Sequence, residues 1–211
     1  CIRTDRKKET TMLNVGIVGA AGYAGAELVR IVLRHPEFKL CVATSNSDAG
    51  NLLSSVYPAF TGVTDLAFSK HDDPALFDCD IVFLATPHTV AMKSAPGLLE
   101  AGVTVVDLSA DYRLRDRATY EKWYKVTHTS PELLAMATFG LPELNRDALS
   151  QAALRHKNGE AVLVACAGCY PTATSLAAAP VIELSQGVVV ADAISGVSGA
   201  GRSATARTHF V

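Results

Sequence analysis

The chain has 211 residues, 49% of them apolar and 19% charged, which is ample material for a buried core and excludes intrinsic disorder. Nineteen basic against 21 acidic side chains leave a formal charge of −2, without the basic excess or basic face of a nucleic-acid binder. No apolar run approaches the roughly 18 residues of a membrane span, so neither nucleic acid nor membrane is an expected partner.

Residues 1–11 are polar, lack the apolar stretch of a secretory signal, and read as a disordered extension ahead of Met12. Residues 13–18 form a short apolar strand. Residues 24–33 repeat apolar side chains at helical spacing until His35-Pro36 stops them. Further strands are expected at 38–43, 80–85, 103–108, 160–165 and 188–194, and further helices at 89–100 and 170–184. Short continuous apolar strands alternating with helices specify an α/β fold, a doubly wound parallel sheet of Rossmann type. Residues 111–158 interrupt that alternation with charged, aromatic and turn-forming stretches. A boundary is expected near residue 160, with a cofactor-binding domain over 12–160 and the start of an α+β catalytic domain over 161–211. About fifty residues are too few for an independent core, so the chain reads as ending inside that second domain.

The segment Gly19-Ala20-Ala21-Gly22-Tyr23-Ala24-Gly25 stands where the first strand meets the first helix. Glycines there permit a tight turn and let backbone N–H groups approach a pyrophosphate at the positive end of a helix. The spacing differs from the usual G-x-G-x-x-G, and a plain strand–helix turn is the competing reading. An NAD site places an acid at the end of the second strand; here that strand ends in Thr44, Ser45, Asn46 and Ser47, which suits the 2′-phosphate of NADP.

Five cysteines, Cys1, Cys41, Cys79, Cys166 and Cys169, are an odd count that points to a reducing compartment, the cytoplasm by default. Cys169 is expected at the start of a helix, with Pro171 in the first turn, where the positive helix end favours a thiolate. A thiolate beside a nicotinamide implies acyl transfer through a thioester, with hydride exchanged at the same carbon. The competing reading is a buried structural cysteine. Cys166 and Cys169 form a C-x-x-C pair, but two further ligands at suitable spacing are missing, and no metal is expected.

Six segments, taken together, resemble N-acetyl-gamma-glutamyl-phosphate reductase, within the semialdehyde dehydrogenase group. They are the glycine turn, Phe83-Leu84-Ala85-Thr86-Pro87-His88, Asp107-Leu108-Ser109-Ala110-Asp111-Tyr112-Arg113, Gly140-Leu141-Pro142-Glu143, Gly168-Cys169-Tyr170-Pro171-Thr172 and Ser195-Gly196-Val197-Ser198-Gly199-Ala200-Gly201-Arg202. The resemblance implies an NADP-dependent enzyme of arginine biosynthesis that reduces an acyl phosphate to a semialdehyde as a homodimer or homotetramer. It implies Cys169 as nucleophile and a general acid/base histidine in a segment beyond Val211. His209 matches a different stretch of the family. Where the family commonly has Asn-Pro before its Gly-Cys, this chain has Cys166-Ala167.

Arg113 and Arg202 are the natural binders of an acyl phosphate, since guanidinium bonds an oxygen array in a fork; either could instead neutralise Asp107 or Asp111. Ser109 is a further expected substrate contact. Gly19, Ala21, Gly22, Tyr23, Ala24, Gly25, Thr44, Ser45, Pro87, His88, Ser198 and Gly199 are the expected cofactor contacts. His35, His71, His128 and His156 carry no constellation. Two other functions compete: a relative acting on aspartyl or carrier-linked aminoadipyl phosphate, and a non-catalytic NADP-binding fragment.

Overall fold

A computed structural model describes residues 12–202; the extension expected at 1–11, and His209, lie outside the described residues. Six strands form one parallel sheet: β1 (Leu13–Val18), β2 (Phe38–Thr44), β3 (Ile81–Leu84), β4 (Thr104–Asp107), β5 (Thr138–Gly140) and β6 (Leu163–Cys166). Their order is β2-β1-β3-β4-β6-β5, so growth of the sheet reverses between β1 and β3. An open α/β sheet binds its ligands outside the strands' carboxyl ends at such a reversal. The helices are α1 (Tyr23–Val32), α2 (Leu53–Val56), α3 (Ala91–Glu100), α4 (Arg117–Tyr124), α5 (Pro142–Lys157) and α6 (Cys169–Ala178).

The apolar strands are continuous because both sheet faces are covered. Val15 and Ile17 of β1 pack with Val29 and Val32 of α1, Leu53 of α2, and Phe60. Val18 joins Leu84, Val105 and the α3 residues Met92, Ala95 and Leu98 in a second core, which also holds Tyr112 and Tyr120. Full burial of one such aliphatic side chain contributes roughly 1.5–3 kcal/mol.

Three expectations change. Residues 188–194 form no strand: no described strand pairs with them, Val188 and Ile194 are 92% and 93% exposed, and a β-branched run without a partner has no ladder to join. The helix expected over 170–184 ends at Ala178: Ala179 still has helical backbone, but Pro180 lacks the N–H that would continue the ladder. The expected boundary at 160 cuts the sheet, because β6 lies beyond it and sits between β4 and β5. No helix among the described residues is long and apolar enough to cross a membrane.

Candidate active site

The glycine turn is fixed by its own backbone. Gly19 takes φ +85°, and its N–H and that of Ala20 donate to the Thr44 carbonyl at 3.1 and 2.9 Å, tying the turn to the end of β2. A Cβ on Gly19 would lie 2.5 Å from the Ala85 carbonyl, and one on Gly25 would overlap the Gly19 carbonyl. Gly22 differs: a Cβ there meets nothing closer than 3.5 Å. Gly22 is the N-cap of α1 and provides no side-chain cap, so the first-turn N–H groups around exposed Tyr23 and Ala24 stay open to an anion. Ala21 is buried, and its carbonyl accepts from Tyr57 Oη at 2.7 Å.

At the end of β2 the side chains divide the work differently from the expectation. Thr44 is fully buried, its hydroxyl 2.7 Å from His71 Nδ1, so only its backbone meets the glycine turn. Asp48 follows directly on the stretch read as acid-free. Its carboxylate accepts from the Ser45 hydroxyl at 2.8 Å and the Ser47 hydroxyl at 2.6 Å, and lies 3.3 Å from Arg202 Nη2. These hydroxyls, and then Arg202, hold the Asp48 carboxyl below the usual range. Arg202, expected at the substrate, is therefore placed at the β2 end. A pocket lined by Asn46, Lys70, His71 and Asp72 opens beside it. Ser198 and Gly199 lie in an exposed turn, Val197–Ala200, two residues before Arg202.

The loop after β3 forms the other lip of the crevice. Pro87 and His88 are exposed, whereas the Thr86 hydroxyl is buried without a partner. The turn after β4 is tightly bonded. Ser109 is 2% exposed; its N–H and hydroxyl both donate to Asp107, at 2.8 and 2.9 Å. Burial pushes the Asp107 carboxyl up to about 6 against those two bonds. Arg113 makes no ion pair with Asp107 or Asp111 among the described residues. Its Nε donates to the Cys166 carbonyl and its Nη2 to the Leu108 carbonyl, both at 2.7 Å, and a Cβ on Gly168 would lie 2.8 Å from its Nη1. Arg113 thus clamps the loop after β4 to the end of β6, with Nη1 left beside the start of α6.

Cys169 is the first residue of α6, behind an N-cap, Gly168, that offers no side-chain cap. It is exposed and lines a cavity with Tyr170, Thr174, Asp192 and Ser195. Cys166 is the contrasting neighbour: burial, then Asp107, pushes its thiol up to about 11. Among the described residues no three His, Cys, Asp or Glu side chains gather as a metal site. The other histidines are structural: His156 Nδ1 lies 2.9 Å from the Thr104 hydroxyl, and buried His128 accepts from Ser130 N–H while its Nε2 meets the Asp111 carbonyl. Sequence reasoning missed Asp48, Tyr57 and Asp111. Asp48 stands one residue past the Thr44–Ser47 strand end, whereas the other two act through loops far away in the chain.

Comparisons with known proteins identify the family and the fold. The family described as "Semialdehyde dehydrogenase, NAD binding domain" matches residues 14–152, and "Semialdehyde dehydrogenase, dimerisation domain" matches residues 169–211. Curated relatives include the N-acetyl-gamma-glutamyl-phosphate reductases of Halorhodospira halophila, 50% identical, and Laribacter hongkongensis, 48% identical, each over 202 residues. Those alignments cover 94% of this chain and 56% of each relative, so the chain spans a little over half their length. Among solved structures, the aspartate semialdehyde dehydrogenase of Candida albicans with NADP superposes over 82% of this chain and 48% of its own, with a TM-score of 0.59 at 18% identity. The enzyme from Vibrio cholerae complexed with ASA covers 82% and 47%, with a TM-score of 0.56 at 17% identity. At those identities the two structures show the shared fold. With the family match extending over most of the described sheet and helices, the chain belongs to the semialdehyde dehydrogenase family.

Proposed function

We propose that this chain carries the cofactor site and the nucleophile of an NADPH-dependent N-acetyl-gamma-glutamyl-phosphate reductase, which forms N-acetylglutamate semialdehyde and releases phosphate in arginine biosynthesis. The observation that carries the reading is the exposed Cys169 at the uncapped start of α6, on the same strand-end edge as the glycine turn. Relatives named for this activity are about half identical over nearly the whole chain, which favours it over aspartyl or aminoadipyl substrates and over a non-catalytic fragment.

The residues fit a dinucleotide: Gly19 and Gly25 allow the close turn, and the bare start of α1 offers N–H donors for the pyrophosphate. Arg202 and Lys70 supply the cationic partners of a 2′-phosphate, and the Ser45 and Ser47 hydroxyls, by donating to Asp48, keep that carboxylate engaged at the same strand end. Pro87 and His88 line the other half, and Ser198 and Gly199 approach from the turn that carries Arg202. When bound, the reduced nicotinamide supplies the hydride.

Cys169 thiolate attacks the acyl carbon, the acyl–phosphate oxygen bond breaks, and a Cys169 thioester remains as phosphate leaves. After hydride addition at that carbon, the C–S bond breaks and returns the thiolate with release of the aldehyde. Arg113 Nη1 and the first N–H groups of α6 are the donors nearest to the developing negative charge. Ser109 orders the turn on which Arg113 stands.

The domain boundary falls at 167–168, between β6 and α6. The segment 180–202 is exposed along its whole length with many apolar side chains, which supports assembly as a homodimer or homotetramer. The four described cysteines are free, which supports a cytoplasmic location. Phosphate-dependent oxidation of the semialdehyde with NADP is the test. Cys169→Ser is expected to abolish turnover and leave NADPH binding intact, with NADPH bound more tightly than NADH. Turnover by Cys169→Ser at the parent rate would overturn the mechanism.

A further inference from the structure

The turn after β4 controls the loop after β3, and this inference rests on the cofactor reading above. Asp111 is fully buried. Its Oδ1 accepts from the Thr89 N–H and from Tyr120 Oη, both at 2.9 Å, and its Oδ2 accepts from the Met92 N–H at 3.1 Å. Val90, the N-cap of α3, provides no side-chain cap, so a carboxylate from another loop does that work. Thr89 is held at φ +74°, a left-handed conformation that a β-branched residue keeps only where its surroundings over-determine it.

That strain is stored one residue from His88. His88 is exposed, and its Nδ1 accepts from the Ala110 N–H at 3.0 Å. A backbone N–H can only donate, so the neutral imidazole must carry its proton on Nε2. The ring also meets Tyr124 edge-on, at 5.7 Å between centroids, and Tyr124 stacks on Tyr120, the residue bonded to Asp111. Two routes therefore run from Asp111 to the orientation of His88: the Thr89 peptide and the tyrosine stack. The outcome is a single outward N–H donor of fixed tautomer.

Its place in the sheet says which ligand half it meets. The 2′-phosphate partners stand at the end of β2, and the pyrophosphate donors stand at the start of α1. The loop after β3 lies on the opposite side of that turn, toward β4 and the β6 end that carries Cys169. We propose that His88 donates from Nε2 to an oxygen of the nicotinamide half of the bound dinucleotide, and that Asp111 is the positioning residue that holds it there. The shared chemistry is an uncharged oxygen acceptor, from the carboxamide or the ribose.

Dissociation constants for NADPH and for 2′,5′-ADP, which lacks the nicotinamide half, test this in the intact protein. His88→Ala is expected to weaken NADPH about three- to tenfold, the loss of one hydrogen bond, and to leave 2′,5′-ADP unchanged. His88→Gln retains a donor and is expected to recover most of the loss. Asp111→Asn is expected to show the same selective loss although Asp111 touches no ligand; Tyr120→Phe, which removes one of its partners, gives a smaller loss of the same kind should that variant fold poorly. Variants that weaken both ligands equally, or neither, overturn the proposal, as does His88→Gln behaving like His88→Ala. A parent protein that binds neither ligand overturns the cofactor reading itself, and this inference with it.

Discussion

Asp107 shows how a single side chain can be costly and useful together. Its carboxyl is buried at the strand edge, and burial raises its pKa to about 6 from 3.8, against two hydrogen bonds from Ser109. The folded value lies above the unfolded one, so the charged form opposes folding; the cost is complete above pH 6 and fades as pH falls toward 4. A shift of about two units corresponds to about 3 kcal/mol. Asp107→Asn keeps the size and most of the bonding, and is expected to raise stability in urea by up to about 3 kcal/mol at pH 8 but much less at pH 4.5. An equal gain at both values would contradict the electrostatic explanation. Cysteine reactivity divides at the same scale. Burial pushes the Cys79 and Cys166 thiols up to about 11, which keeps them protonated at neutral pH, whereas Cys169 is exposed at the first position of α6. Iodoacetamide at pH 7.5 is expected to label the Cys169 peptide well before those of Cys79 and Cys166. Peptide mapping that finds all three equally slow would remove Cys169 from the nucleophile's role.

Among elements, the β1–α1 unit separates what the fold needs from what the ligand needs. A methyl group on Gly25 would overlap the Gly19 carbonyl, so Gly25→Ala forces helix and turn apart and is expected to cost about 1–3 kcal/mol in stability. Gly22 has φ −74° and room for a Cβ, so Gly22→Ala is expected to melt like the parent yet bind NADPH more weakly, because the methyl occupies the anion's approach. Thermal melting and cofactor titration of both variants check the contrast. The same unit was legible in the sequence: an apolar run, three glycines and a helical period meet within about twenty residues. β2, β3, β4 and β6 were legible as short, mostly apolar runs; the inner three lie between covered faces, whereas the edge strand β2 leaves Lys39 exposed. β5 was not, since Thr138–Gly140 is three residues long. α5 buries only Ala152, so it carries no apolar stripe by which to recognise it. Residues 188–194 misled in the other direction: Val188, Val189 and Val190 have strand chemistry but no strand alongside. Arg113 was legible as a site residue by its place after a strand, yet its commitment to the Cys166 and Leu108 carbonyls depends on β6, fifty residues away in the chain.

For the molecule as a whole, the parallel sheet delivers loops from distant parts of the sequence to one edge. The glycine turn, the Asp48–Arg202 pair, the His88 loop, the Arg113 clamp and Cys169 follow β1, β2, β3, β4 and β6 respectively, and the order of those strands sets the order of the subsites. A cofactor lying across that edge would end beside the thiol, which is the geometry a thioester reduction requires. In the proposed reaction Cys169 becomes acylated. Mixing the protein with N-acetylglutamate semialdehyde and NADP in the absence of phosphate traps the reaction at that stage, and intact-mass and peptide mass spectrometry then locate the acyl group. One acyl group per chain is expected on the Cys169 peptide, matched by a single stoichiometric burst of NADPH, discharged by added phosphate and absent from Cys169→Ser. A burst and steady turnover with no adduct on Cys169, or with the acyl group on another residue, would contradict it.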